Sequence, residues 1–291
     1  MTSPAIRSGE GRNAVPDDIL VVTDLRKSYG KSEVLRGLSM RALRGQTTVI
    51  IGGSGAGKTT LLRLLVALET PTSGSIVVDG EEMVGLSERG LGRVRRKLGM
   101  VYQYAALLDS LTVMDNVAFP LVENTSLSKK EIHERVIIQL KKVGLDADVT
   151  AKLPSQLSGG MRKRVGIARA LMLDPPIMVY DEPTSGLDPP MSRRVDDLIE
   201  EVRERFGVTS IVSSHDITSC FRIAHQVILM MDGQILAHGT PDELANSEDE
   251  RVHYFIASSG VDVGHVSRVP SGTLAAVPGT AGSPAVAIAA E

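Results

Sequence analysis

Between Gly52 and Thr59 the chain reads GGSGAGKT, and about a hundred residues later LSGGM at Leu157 to Met161 is followed by VYDEP at 179–183. The first stretch fits GxxxxGK[ST], a spacing suited to phosphate. Val49, Ile50 and Ile51 read as a buried strand, and Leu61, Leu62, Leu64, Leu65 and Leu68 as the apolar face of a helix. Gly52, Gly55 and Gly57 let the backbone aim its N–H groups at phosphate oxygens, and the following helix adds about half a positive charge at its start. Lys58 is placed to reach β and γ phosphates, and the Thr59 hydroxyl to ligate Mg²⁺. The expected contact set for a nucleotide is Gly52, Gly53, Ser54, Gly55, Ala56, Gly57, Lys58, Thr59 and Thr60.

The second constellation is acidic. Met178, Val179 and Tyr180 lead into Asp181 and Glu182, so a buried strand ends in two consecutive carboxylates. The carboxyl edge of an open α/β sheet is where ligands bind. Asp181 is expected to hold Mg²⁺ through a water, and Glu182 to polarise an attacking water as general base. Ser158 has the type and position of a helix N-cap, and Gly159 and Gly160 leave room for phosphate near the helix's positive end.

These residues need a frame. The 291-residue length suits one large α/β domain with an appendage. A net charge of −3 supplies no global field for nucleic acid, so no nucleic-acid partner is expected. Cys220 is the only cysteine, and the N-terminal residues lack the apolar run of a signal peptide, which together point to the cytoplasm. No run reaches about 18 apolar residues, so a membrane is reached only through a partner.

Residues 1–18 are polar and rich in Gly, Ser and Pro, and read as disordered. From Ile19 onward, β-type runs at 19–22, 47–51, 75–78, 99–102, 177–180, 210–213 and 227–230 alternate with helical patterns, which favours a largely parallel sheet. Between about 104 and 173 the pattern turns helical, as an inserted subdomain. Residues 246–291 read as a C-terminal extension, largely disordered, with no periodicity from about Val266.

Taken together, these motifs resemble those of ABC transporter ATP-binding subunits over about Ile19 to Leu244. The resemblance implies a P-loop NTPase fold of ABC type: a RecA-like parallel-sheet core, an N-terminal antiparallel β-subdomain and an inserted helical subdomain. It implies ATP and Mg²⁺ as cofactors. Tyr29 then stacks on adenine, and Gln103 touches Mg²⁺ and the water while coupling the site to a transmembrane partner. His215 contacts the γ-phosphate, and Asp188 communicates between sites. Lys58, Gln103, Glu182 and His215 form the implied catalytic set, and Thr59, Gln103 and Asp181 the metal set. Ser158, Gly159 and Gly160 face the nucleotide of a second copy, so a head-to-tail homodimer is implied. Arg162, Lys163 and Arg164 after them read either as a solvated basic face or as a positive field for that phosphate. Tyr104, Leu107, Leu108 and Leu111 are candidate permease contacts. His225, His238 and His253 are read as structural or surface residues.

Met161 in LSGGMRKRVGIARAL, with YQYAALLDSLTVMDNVAFPL and SSHD, is most similar to the Mla and Mce branch, whose ATPases power phospholipid movement. This implies permease subunits, an MCE-domain lipid-binding protein, and a place at the cytoplasmic face of the inner membrane. Gly53 stands where the family commonly has proline, and the tail from Ser267 matches no family pattern. VHYFI at 252–256 is an apolar patch that could dock on a neighbouring subunit. An ABC importer or exporter for another solute, such as amino acids, shares the same motifs. A soluble ABC ATPase of repair, translation or iron–sulfur assembly usually needs tandem cassettes, a coiled-coil insertion or a basic surface, none of which the chain shows.

Overall fold

The computed structural model describes residues 18–258. Two long strands, β1 (Asp18–Tyr29) and β2 (Ser32–Leu43), open the fold as an antiparallel hairpin, and β3 (Thr47–Gly52) follows with all six residues buried. Next come α1 (Lys58–Leu65), β4 (Ser73–Val78), β5 (Glu81–Glu82), α2 (Glu88–Arg95) and β6 (Leu98–Val101). A helical stretch then interrupts the strands: α3 (Val113–Asn124), α4 (Lys129–Lys142), two 3₁₀ turns, and α5 (Gly159–Ala170). The chain returns through β7 (Ile177–Asp181), α6 (Pro189–Phe206), β8 (Thr209–Ser214), α7 (Ile217–Ile223), β9 (Gln226–Met231) and β10 (Gln234–Gly239). It ends with α8 (Pro241–Ala245) and α9 (Glu250–Ala257).

The strands form two sheets. A four-stranded antiparallel sheet has the order β2-β1-β4-β5, and a six-stranded sheet the order β10-β9-β3-β8-β7-β6. In the larger sheet β9, β3, β8, β7 and β6 run parallel, with β10 antiparallel at the edge. Alternation along each central strand sends side chains to opposite faces. Val49, Ile51, Met178, Tyr180 and Val212 join the core shared with α3 to α7. Ile50, Val179 and Ile211 join the core that α1 and the antiparallel sheet cover. Both faces are therefore dry, which is why these strands read as continuous apolar runs.

Local chemistry sets the helix starts. Ser128 and Glu131 form a reciprocal capping box on α4, Ser158 caps α5, and Asp188 caps α6 with Pro189 in its first turn. Four expectations need correction. β2 and β10 are strands outside the apolar runs read from the sequence, because Gly37 and polar residues interrupt their alternation. Leu68 lies beyond α1 and is exposed. Asp18 already belongs to β1 rather than to a disordered leader; residues 1–17 lie outside the described residues. In the C-terminal extension residues 250–257 form a helix capped by Asp249, whose Val252 and Ile256 are buried in the chain's own core. The VHYFI patch thus faces inward through those two residues and leaves Tyr254 outside. Residues 259–291 lie outside the described residues.

Candidate active site

Four adjacent strands deliver the site. In the order β3-β8-β7-β6, their carboxyl ends lead into the Gly52–Gly57 loop, His215, Asp181 with Glu182, and Gln103. The helical crossovers lie on the sheet faces, so this edge is left for loops.

In the glycine loop, Gly57 caps α1 with φ of 98°, and a Cβ there would meet the Leu35 side chain at 2.7 Å. Only glycine fits this conformation and this approach. Lys58 turns back over the loop, and its ammonium donates to the carbonyls of Gly52 at 2.8 Å and Gly53 at 3.1 Å. Burial lowers its pKa, while the carboxylates of Glu182 and Asp181 pull the other way. The loop is therefore pre-shaped around a cation. Gly53, Ser54, Gly55 and Thr59 are exposed, Thr60 is half-buried, and Ala56 is packed inward.

At the end of β7, the Ser213 hydroxyl donates to Asp181 Oδ1 at 2.8 Å and accepts from the Glu182 N–H at 3.1 Å. Glu182 has φ of 46°, in the left-handed region that side chains rarely adopt, and this redirects the chain straight after the strand. Its carboxylate lies 3.3 Å from His215 Nδ1; the histidine side chain is 62% exposed and the glutamate 22%. Gln103 Nε2 donates to Ser185 Oγ at 3.0 Å, which joins the loop after β6 to the loop after β7.

For Lys163 neither reading of the basic run, a solvated face or a positive field for the second copy's phosphate, anticipates its position. It is buried instead, and its ammonium donates to the carbonyls of Gln103 at 3.0 Å and Ser185 at 3.1 Å. Burial pushes its pKa down to about 8, against the pull of the Glu182 charge. Arg164 donates to the carbonyls of Val143 and Gly144, and Arg162 is the exposed member of the run. Helical spacing alone gives no sign of which basic residue faces inward.

Tyr29 ends β1 and is 45% exposed. Its hydroxyl hydrogen-bonds to the Glu69 carboxylate, and this bond is the main cause of its raised pKa. Lys27 sits 4.9 Å from the ring centroid and pairs with Glu69 at 3.3 Å. Glu69, Lys27, Ser213 and Ser185 carry no motif signal and emerge only from the fold.

Ser158 caps α5 by accepting from the Met161 N–H at 3.2 Å. Asp188 caps α6 by accepting from the Met191 N–H at 2.8 Å. Among the described residues no hydrogen bond joins Ser158, Gly159 or Gly160 to the 52–60 loop. Of the candidate permease contacts, Tyr104 and Leu108 are exposed, while Leu107 packs against the core and Leu111 is half-buried. His225 is structural, accepting from the Thr47 N–H at 3.2 Å.

The residues expected to hold a metal at this edge offer oxygen donors: the Thr59 hydroxyl, the Asp181 carboxylate and the Gln103 amide. That set suits Mg²⁺, which takes few protein ligands beside water and phosphate. Among the described residues no cluster of three or more His, Cys, Asp or Glu side chains offers a closed metal cage.

Residues 35–185 match the family described as ABC transporter. The chain is 38% identical to the intermembrane phospholipid transport system ATP-binding protein MlaF of Haemophilus influenzae, over 82% of this chain and 90% of that one. It is 47% identical to the methionine import ATP-binding protein MetN 1 of Pseudomonas savastanoi, over 69% of this chain and 60% of that one. Among solved structures, the dimeric post-hydrolysis state of the cassette MJ0796 bound to ADP and Pi has a TM-score of 0.70 and 32% identity, covering 76% of this chain and 98% of that one. Matched by that family model over more than half of its length and by relatives over most of theirs, the chain belongs to the ABC transporter family as an ATP-hydrolysing subunit.

Proposed function

We propose that this subunit powers phospholipid movement across or between bacterial membranes. The observation that carries this reading is that the similarity spans nearly all of the phospholipid-system ATPase MlaF, 90% of that chain, against 60% to 67% of the methionine importer subunits. Met161 after the signature glycines, in LSGGMRKRVGIARAL, supports the same branch.

The geometry supports the following division of labour. Lys58 exchanges its two loop carbonyls for the β and γ phosphates when ATP enters, and Tyr29 stacks on the base. Glu182, held by Ser213 and beside His215, orients and deprotonates the attacking water, and His215 contacts the γ-phosphate. Thr59, Asp181 and Gln103 would hold Mg²⁺, which would neutralise charge on the phosphate oxygens. Ser158, Gly159 and Gly160 of one copy cover the nucleotide of a second, so that ATP favours a closed head-to-tail homodimer through its higher affinity for that state.

No helix among the described residues is long and apolar enough to cross a membrane. In this reading coupling runs through integral-membrane permease subunits at the cytoplasmic face of the inner membrane, with an MCE-domain lipid-binding protein in the same complex. Tyr104 and Leu108 on the loop after β6, and Phe119 and Val122 on α3, form the exposed apolar surface for the permease. Asn116 ties that loop to α3, accepting from the Leu108 N–H at 2.7 Å and donating to its carbonyl at 3.0 Å.

The 47% identity to a methionine importer subunit favours amino-acid import as the second reading. One experiment separates them: purification of Glu182→Gln from the native membrane in its ATP-bound state, with identification of the proteins and lipids retained. A multi-spanning permease with an MCE-domain protein and phospholipid is the expected result. An amino-acid-binding protein in their place overturns the lipid reading and leaves the ATPase standing.

A further inference from the structure

The face of α5 turned toward the loop after β6 carries Lys163, Gly166 and Arg169, at i, i+3 and i+6. Each grips that loop differently. The Lys163 ammonium donates to the Gln103 carbonyl at 3.0 Å and, across the gap to the next loop, to the Ser185 carbonyl at 3.1 Å. Gly166 lets the backbone close in, since a Cβ there would lie 3.1 Å from the Ala105 Cβ. Arg169 donates to the carbonyls of Ala105 and Ala106, both at 2.7 Å. Those two alanines have φ of 61° and 44°, a left-handed pair that local propensity disfavours and that the guanidinium holds in place.

A buried ammonium is retained only where its donors are satisfied, and the two hydrogen-bond acceptors of Lys163 are backbone oxygens of two separate loops. One of those loops carries Gln103, whose side chain in turn donates to Ser185 Oγ at 3.0 Å. We propose that Lys163 is a positioning residue for hydrolysis, locking the loops of Gln103 and Ser185 to the helix that begins at Ser158. The inference rests on the assignment of Gln103 and Glu182 to the reaction. Its consequence is mechanical: α5 starts at the residues that cover the second copy's nucleotide. A shift of that helix on ATP-driven closure therefore carries Gln103 with it, and each site registers the occupancy of the other.

The test is steady-state ATP hydrolysis by the full-length protein, with ADP affinity and thermal midpoint measured on the same samples. The variants are Lys163→Met, Lys163→Gln and Glu182→Gln. Lys163→Met is expected to lower kcat on the order of 10- to 100-fold, as sub-ångström misplacement does, with ADP affinity held within about twofold. It should also give a lower Hill coefficient for ATP than wild type. Lys163→Gln keeps N–H donors without the charge and is expected to recover part of both. A kcat for Lys163→Met within about twofold of wild type overturns the inference. So does a fall in kcat that tracks ADP affinity and thermal midpoint in both Lys163 variants, which marks a merely structural role. Wild-type hydrolysis by Glu182→Gln instead overturns the site assignment, and the inference with it.

Discussion

His215 Nδ1 lies 3.3 Å from Glu182 Oε2, although the two residues follow different strands, β8 and β7, and Glu182 stands in the left-handed backbone region. The pair sets the carboxylate proposed as the base beside an imidazole able to donate to it. Glu182→Gln keeps the shape and removes the base. Turnover should fall by about 10²-fold or more while ATP binding persists, as read by phosphate release and by nucleotide titration. Binding lost together with turnover would place Glu182 in the binding set instead.

Lys58 holds the glycine loop closed by donating to Gly52 and Gly53. Lys58→Ala removes charge-assisted bonds to phosphate worth about 1.5–3 kcal/mol, so calorimetry should show ATP affinity weaker by roughly 10- to 150-fold. An unchanged affinity would mean that the ammonium stays on the two carbonyls when nucleotide is bound.

The Tyr29 ring is steadied through its hydroxyl by Glu69. Loss of base stacking in Tyr29→Ala should cost about 1–3 kcal/mol of nucleotide affinity. Tyr29→Phe keeps the ring and loses only the tether, so its loss should be the smaller of the two. Equal losses would make the tether, rather than the ring, the important feature.

Stability has a sharp test in the antiparallel sheet. Gly74 has φ of 100°, and a Cβ there would lie 2.5 Å from the Asp24 carbonyl oxygen and 2.7 Å from Leu25 Cα. Gly74→Ala should destabilise by about 2–4 kcal/mol in urea unfolding. Gly80 also has positive φ, at 77°, but nothing lies within 4 Å of the added carbon. Gly80→Ala should cost only about 1–2 kcal/mol, the backbone term alone.

Tyr104 and Phe119 are exposed at 82% and 45%. Charging them in Tyr104→Asp with Phe119→Asp should reduce recovery of the permease in membrane pull-downs, with the ATPase rate of the isolated subunit kept. Undiminished recovery would move the docking surface elsewhere.

The parts legible in the sequence are those that local physics dictates. Val49 to Ile51 and Met178 to Tyr180 are apolar because both sheet faces are covered, and position 57 takes glycine because of its positive φ and its approach to Leu35. The illegible parts depend on tertiary contacts. Whether Lys163 or Arg162 turns inward is decided by how α5 lies on the loop after β6. Val252 and Ile256 become core only because α9 folds back. Ser213 gives no local sign that it will serve both Asp181 and Glu182.

The strand order β3-β8-β7-β6 turns the parallel ladder into a ruler. Neighbouring strands stand about 4.8 Å apart, so the loops bearing Lys58 and Gln103 leave the sheet roughly 14 Å from each other, with His215 and Glu182 at the two intermediate marks. The separations among the four groups are thus graduated by backbone hydrogen bonds that side-chain substitutions leave intact. Replacing one group deletes a mark without rescaling the others, so losses at His215 and Glu182 can be compared on an unchanged frame.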